Sequence, residues 1–288
     1  MRVIALAMVV AACHGQTSRG LPVALREACP ANHFFDGAAC KARGDGAAKI
    51  AAGKAALVKQ DVDAAKLELD AVKGPLDHQA NVTLWEQRGI AAAYVDDEPG
   101  ASAAFDMLLA LDPAHILSYR LSPKATFVFE EVRGQNKGGA QIDVNWQFGQ
   151  RVGDPVPLDL EVVADPKSFL KTATVFVRTR GDAVWRAADL AVTGRSKRVV
   201  LPAVSATKPV SLELYVRGYD DKGNEVLAWA DASKPREIPL RYDPPTPWYR
   251  KWWVITIAGA ALIGGTGTIV YVATREPPDT VGGGVSVK

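Results

Sequence analysis

Histidine and cysteine are scarce in this chain, at four and three among 288 residues, and neither sign of charge dominates. Lys plus Arg number 34 against 32 Asp plus Glu, a net charge of +2. So balanced a chain projects no long-range field toward a polyanion, which excludes nucleic acid as a partner. None of His14, His33, His78 and His115 has a second His or a Glu at ligand spacing, so no metal centre is predicted. A G-x-S-x-G nucleophile elbow and a phosphate-cradling G-x-x-x-x-G-K-[ST] are both missing. Catalytic groups that converge on no motif, with no cofactor signature, point to a binding or scaffolding role rather than an enzyme.

One long apolar run stands out against this background. From Trp253 to Thr274 the text WVITIAGAALIGGTGTIVYVAT carries no charge, and as a helix it would be about 33 Å long against a hydrocarbon core of roughly 30 Å. Trp248, Tyr249, Trp252 and Trp253 sit at its start and Tyr271 lies near its end, where amphipathic rings favour the headgroup layer; Arg250, Lys251 and Arg275 bracket it. Residues 253–274 are therefore predicted to span a membrane, after a 242–252 linker and before a 275–288 tail. Small residues one turn apart (Ala260, Ala261, Gly264, Gly265) would suit a weak homodimer seam between two such helices.

The start of the chain, MRVIALAMVVAAC, has one basic residue, a short apolar stretch and small residues before Cys13. It resembles a bacterial lipoprotein signal, which implies cleavage after residue 12 and acylation of Cys13. Residues 13–45 then read as a tether. With Cys13 set aside, Cys29 and Cys40 remain as an even pair, and parity favours a disulfide over two free thiols or, with His33, an incomplete metal set. Basic residues are more numerous before the apolar run (Arg236, Arg241, Arg250, Lys251) than after it (Arg275, Lys288), a bias that alone would keep the soluble part cytoplasmic. Long domains translocate largely regardless of charge, so the export signal sets the expectation of a periplasmic soluble part.

A helical domain is expected over 46–133; from Gly46 to Val72 Ala, Leu and Val recur at three- and four-residue steps, with Asp61 placed to start a second helix after the first. Trp85, Gly89, Ala101, Phe105 and Pro113 follow at spacings of 4, 12, 4 and 8 residues. That pattern resembles the tetratricopeptide repeat, although Arg88, Ala92 and Leu108 depart from its usual residues. In the preceding stretch Ala52, Ala64 and Ala71 suit the small positions, but the aromatics are missing. A last helix over Pro123–Arg133 would cap the array. The resemblance implies paired antiparallel helices whose concave face binds a protein segment, with Lys54, Lys59, Glu86 and Gln87 as exposed partner-binding residues. The acidic run Asp96-Asp97-Glu98 falls where charges favour the start of a helix.

After Gly134–Gly139 the period changes to two. IDVNWQF, LDLEVVA, TATVFVRTR, VVLPAV, VSLELYVRGY and EVLAWA alternate apolar and polar residues, and 140–241 reads as an antiparallel β-sandwich resembling immunoglobulin and fibronectin type III modules. Asp220–Asn224 is a hairpin turn rather than a calcium loop, and Ser168–Leu170 and Arg195–Arg198 read as loops. The fold class is thus multidomain α plus β with one transmembrane helix, a layout resembling bacterial envelope proteins. The function expected is a membrane-tethered scaffold or adaptor for another envelope protein. The alternative is a ligand-binding or sensory module whose sandwich holds a glycan or cell-wall fragment on an aromatic row, with Trp146, Trp185 and Trp229 as the candidates.

Overall fold

The computed structural model describes residues 21–118 and 120–244. The expected signal segment, Cys13 and the apolar run 253–274 lie outside the described residues, and among the described residues no helix is long and apolar enough to cross a membrane. The described residues up to Tyr242 form one compact unit. It contains five helices and two main antiparallel sheets.

The helical part consists of α1 (Gly46–Val58), α2 (Val62–Asp70), α3 (His78–Tyr94), α4 (Glu98–Leu111) and α5 (Pro123–Gln135). Carboxylates supply most of the start signals: Asp61 accepts from the Ala64 N–H at 3.1 Å, Asp77 from Ala80 at 2.8 Å and Asp97 from Gly100 at 3.0 Å. Each satisfies an otherwise orphan donor of a first turn. Helices α1 and α2 form one hairpin and α3 and α4 a second. The two hairpins repeat with a period of 36 residues. Gly53 and Gly89, Ala65 and Ala101, and Leu69 and Phe105 are equivalent pairs, and Gln60 and Asp96 both take positive φ (63° and 59°) just before the second helix.

Glycine is needed at the crossing of each hairpin. A Cβ on Gly89 would lie 2.6 Å from Cδ1 of Phe105, and one on Gly53 would lie 2.7 Å from Cγ of Leu69, so the helices meet backbone to side chain. The small residues of the first hairpin are therefore Gly53 and Ala65, one position later than Ala52 and Ala64, which are exposed and half-buried. Helix α5 closes the array: its fully buried Phe129 meets Phe105 edge-on at 5.4 Å.

Residues 21–45 are more than a tether. Strand β1 (Arg26–Glu27) pairs with β7 of the main sheet, and a disulfide joins Cys29 to Cys40 across a hairpin of β2 (His33–Phe35) and β3 (Cys40–Ala42), with Cα atoms 5.5 Å apart. The strands of the sandwich are β4 (Gln141–Trp146), β5 (Val156–Ala164), β6 (Thr172–Thr179), β7 (Arg186–Ala191), β8 (Ser196–Leu201), β9 (Val210–Tyr219), β10 (Glu225–Trp229) and β11 (Arg236–Leu240). One sheet runs β1-β7-β6-β9-β10, with β11 sharing the β9 edge; the other is β4-β5-β8. Alternation puts Val175, Val177, Leu212, Leu214 and Val216 of the first sheet into one core with Val144, Leu158, Leu160, Val199 and Leu201 of the second. The basic run at Arg195–Arg198 is mostly strand rather than loop: in β8, Arg198 lies opposite Asp159 and pairs with it at 2.7 Å.

The two ends of the sandwich differ. At one end the turn after β9 meets the helices. Glu225 N–H donates to the Leu76 carbonyl at 2.9 Å, Asn81 Nδ2 donates to the Glu225 carbonyl at 3.2 Å, and the Glu225 carboxylate takes Arg43 Nη2 at 2.5 Å and the His78 N–H at 3.2 Å. Arg217 lies 3.6 Å from the same carboxylate, and Lys167 pairs with Asp106 of α4. One buried acid thus joins the disulfide hairpin, α3 and β9. At the other end lie the β4–β5 turn, the β6–β7 turn and the end of β11, where Arg241 exchanges backbone hydrogen bonds with Gln150 (2.8 Å) and Val152 (2.9 Å).

Candidate protein-binding groove

Helices α1 and α3 lie side by side, and with the segment before α5 they enclose a groove of about 950 Å³. Leu57, Val58, Val62, Ile90, Tyr94 and Leu121 form its apolar part, interspersed with polar residues such as Gln60 and Ser122. Val58 is 79% exposed although its neighbour Leu57 is buried, so the groove leaves an aliphatic side chain in water. Lys54, Glu86 and Gln87 line it as well.

Of the four polar positions expected on this face, three therefore converge. Lys54 is exposed and Glu86 half-buried, with its carboxylate 4.0 Å from Nε2 of His115. Gln87 is not an exposed residue: it is 5% accessible, because α3 is sandwiched between α1, α2, α4 and α5 and most of its circumference is covered. Lys59 does not line the groove. It is the C-cap of α1, its N–H turned back to Ala55 and Ala56, and its position lies beyond the rim. Val58 was within reach of sequence reasoning, one helical turn after Lys54 on the same stripe. Leu121 was not, since nothing local fixes the path of the chain between α4 and α5.

The sandwich carries a second feature on the outer face of its larger sheet. Phe176 and Tyr215, cross-strand neighbours, stack at 4.5 Å, and Trp185 meets Tyr215 edge-on at 4.8 Å. Arg178 sits 4.3 Å over Trp185 and binds Glu213 at 2.6 Å, and Arg217 sits 4.9 Å from the Tyr215 ring. Burial pushes the Tyr215 phenol up to about 12. Trp185 alone of the three candidate tryptophans belongs to this face; Trp146 and Trp229 pack against the core. Arg26, Arg43, Tyr219 and the disulfide hairpin border a 210 Å³ hollow beside it, where the guanidinium groups are paired with Asp189 and Glu225.

Between helices and sandwich lies a further cavity of about 710 Å³, with Trp85, Arg88, Phe169 and Asn224 among its lining. Arg88 is half-buried there, donating to the Leu69 carbonyl at 2.9 Å, and so ties α3 to the end of α2. His78 is held below its ordinary pKa by burial, despite the adjacent Glu225. No group of three His, Cys, Asp or Glu able to hold a metal ion occurs among the described residues.

No protein-family model and no curated protein matches the sequence. Among solved structures the chain is similar to the FN1–FN3 domains of chicken CNTN1, at 10% identity and a TM-score of 0.23, over 35% of this chain and 30% of that one. It is also similar to a cohesin module from a Clostridium perfringens family 33 glycoside hydrolase, at 9% identity and a TM-score of 0.25, over 37% of this chain and 98% of that one. The chain spans less than a third of the CNTN1 fragment it matches. A set of helical hairpins joined to an antiparallel β-sandwich is the class this chain's own strands and helices define.

Proposed function

We propose that this chain is a non-enzymatic, membrane-tethered scaffold of the bacterial cell envelope, and that the α1–α3 groove holds a segment of another protein. The observation that carries the reading is the groove itself: a mixed lining of apolar and polar side chains with Val58 left in water, along the first helices of two repeated hairpins that also contribute Lys54 and Glu86. Resemblance of the Trp85, Gly89, Ala101, Phe105, Pro113 spacing to the tetratricopeptide repeat supports it, since in that family the first helices line the binding surface. The Cys29–Cys40 disulfide supports an oxidising compartment, hence a periplasmic soluble part. The apolar run 253–274 and the lipoprotein-like start supply the tether.

Covering Val58 in a complex would contribute about 1.5 kcal/mol or more. Val58→Asp, Lys54→Glu and Glu86→Lys change exposed or half-exposed groups and should leave the fold intact, whereas Gln87 is left alone because it is buried. Proteins crosslinked to the wild-type chain in intact cells should be lost from the folded triple variant. An unchanged set would move the site to the outer sheet face, where the Phe176–Tyr215–Trp185 cluster favours the second reading, a sandwich that binds a glycan or cell-wall fragment.

A further inference from the structure

The cavity of about 710 Å³ between the helices and the sandwich shares no lining residue with the α1–α3 groove, and its volume is that of a small-molecule site. Two elements bring rings to it. On α3, Trp85 is fixed by its Nε1 donating to Asn81 Oδ1 at 3.1 Å, and the Arg88 guanidinium lies 5.0 Å over its ring. On the sandwich, Phe169 sits in the loop between β5 and β6. That loop is held from several sides: the Asp165 carboxylate accepts from the Phe169 and Leu170 N–H groups at 3.0 Å each, and Lys167 pairs with Asp106 of α4. Leu170 is buried against Gly218, where a Cβ would lie 2.3 Å from Leu170 Cδ1. Ser168 takes a φ of +53°, left-handed backbone that a serine rarely adopts, and these bonds keep it there with Phe169 on the cavity wall.

The charges around the cavity do not balance. Lys73, Arg88, Lys171 and Lys222 contribute four cations against Asp220 and Asp221. Asp220 is committed to its own turn, accepting from the Lys222 and Asn224 N–H groups and from Asn224 Nδ2, each at 2.8 Å. Arg88 has the Leu69 carbonyl at 2.9 Å and only an exposed Asp70, 3.8 Å away, as counter-charge. The ammonium groups of Lys73, Lys171 and Lys222 have no hydrogen bond or ion pair among the described residues, and all three residues are exposed. A half-buried interior bearing two rings thus lies under a rim of unpaired positive charge, with Asp221 as its one uncommitted carboxylate.

We propose that this cavity binds a small organic anion, its aromatic body against Trp85 and Phe169 and its carboxylate against the lysine ammoniums. A flat ring gains from offset or edge contacts with both side chains beyond the area it buries. A carboxylate supplies the counter-charge that the rim lacks. Such a ligand touches α3 and the β5–β6 loop together, and so would fasten the helices to the sandwich beside the Glu225 joint. The site goes beyond the scaffold reading and does not depend on what the α1–α3 groove holds.

The test uses the full chain in detergent micelles and a water-soluble probe, 2-naphthoate, with neutral 2-naphthamide as the control for apolar burial and micelle uptake; calorimetric titration reads the dissociation constants. The naphthoate should bind on the order of tenfold tighter than the amide, since several exposed ion pairs act together, and the preference should shrink as ionic strength rises. Lys73→Gln, Lys171→Gln and Lys222→Gln change exposed, unpaired side chains and should leave the fold intact; in the triple variant the two probes should bind alike. Phe169→Leu keeps an apolar side chain in the loop but removes the ring, and should weaken both probes several-fold. A naphthoate that binds no tighter than the amide, an unchanged preference in the triple variant, unchanged affinities in Phe169→Leu, or no binding of either probe overturns the proposal.

Discussion

Two helical glycines should respond to the same substitution with opposite sign. Gly89 lies in the interior of α3 and Gly134 is the next-to-last residue of α5, so alanine should favour the helix by about 1 kcal/mol at the first and by less than that at the second. At Gly134 no atom lies within 4 Å of the new methyl, so Gly134→Ala should keep most of that gain. At Gly89 the methyl would lie 2.6 Å from a Phe105 ring that is 0% accessible and already held edge-on by Phe129. Overpacking of that kind costs typically 1–3 kcal/mol, so Gly89→Ala should end destabilising by up to about 2 kcal/mol. For a unit of this size that is a fall in Tm of about 4 to 8 °C, against a small rise for Gly134→Ala. Phe105→Ala alone should cost about 3 to 5 kcal/mol, and the double variant Gly89→Ala with Phe105→Ala should be more stable than the two single losses together predict, because the alanine methyl occupies part of the cavity. Thermal melts followed by helical circular dichroism measure all four. A Gly89→Ala variant as stable as Gly134→Ala, or strictly additive losses, would refute the close approach of α3 and α4.

Three further outcomes follow from the joints of the fold. Replacing Cys29 and Cys40 by serine removes a cross-link over an 11-residue separation and should cost about 3 kcal/mol, read as a Tm fall of about 6 to 12 °C in non-reducing buffer and no further fall on adding a reductant. Glu225→Ala leaves the Arg43 and Arg217 guanidiniums, 13% and 14% exposed, without their shared carboxylate and should cost about 3–5 kcal/mol, with Glu225→Gln milder; urea titration separates them. His78 has its pKa depressed by burial, so its contribution to stability is present above the ordinary value near 6.5 and is lost as pH falls; the acid-side loss in the melts should shrink in His78→Asn.

Much of the architecture could be read from periodicity. The Trp85–Gly89–Ala101–Phe105 spacing predicts a helix pair, and Phe105 does fill the space that Gly89 leaves. Strands β6 and β9 were legible because Val and Leu alternate with Thr, Arg and Glu, whose face also carries Phe176 and Tyr215. The first hairpin was harder. In an alanine-rich helix every face offers small residues, so composition could not separate Ala52 from Gly53 as the contact, and only the partner Leu69 decides. Strand β7, RAADLA, lacks β-branched residues and is held in place by neighbours on both sides, β6 and β1. The basic run in β8 becomes strand through pairing across the sheet with β5, a partner about 40 residues earlier. In the groove, Lys54 and Glu86 followed from the resemblance to the tetratricopeptide repeat, whereas the burial of Gln87 depended on four surrounding helices.

The way β11 ends the sandwich bears on how the molecule would carry a pull. Strand β11 runs antiparallel to β9 through five residue pairs, from Arg236 opposite Leu214 to Leu240 opposite Val210, and just past its far end Arg241 bonds to Gln150 and Val152. Tension applied between the helical array and Leu240 would run along the strands. In that geometry the backbone hydrogen bonds of the pair lie across the force and must slip together, where a strand peeled from its tip would release them one at a time. At the other end the same tension reaches the helices through the Glu225 cluster, whose bonds to Arg43, His78 and Asn81 come from separate segments of chain. The sandwich is built to carry tension along its strands, and its first element to yield should be the joint at Glu225 rather than the sheet.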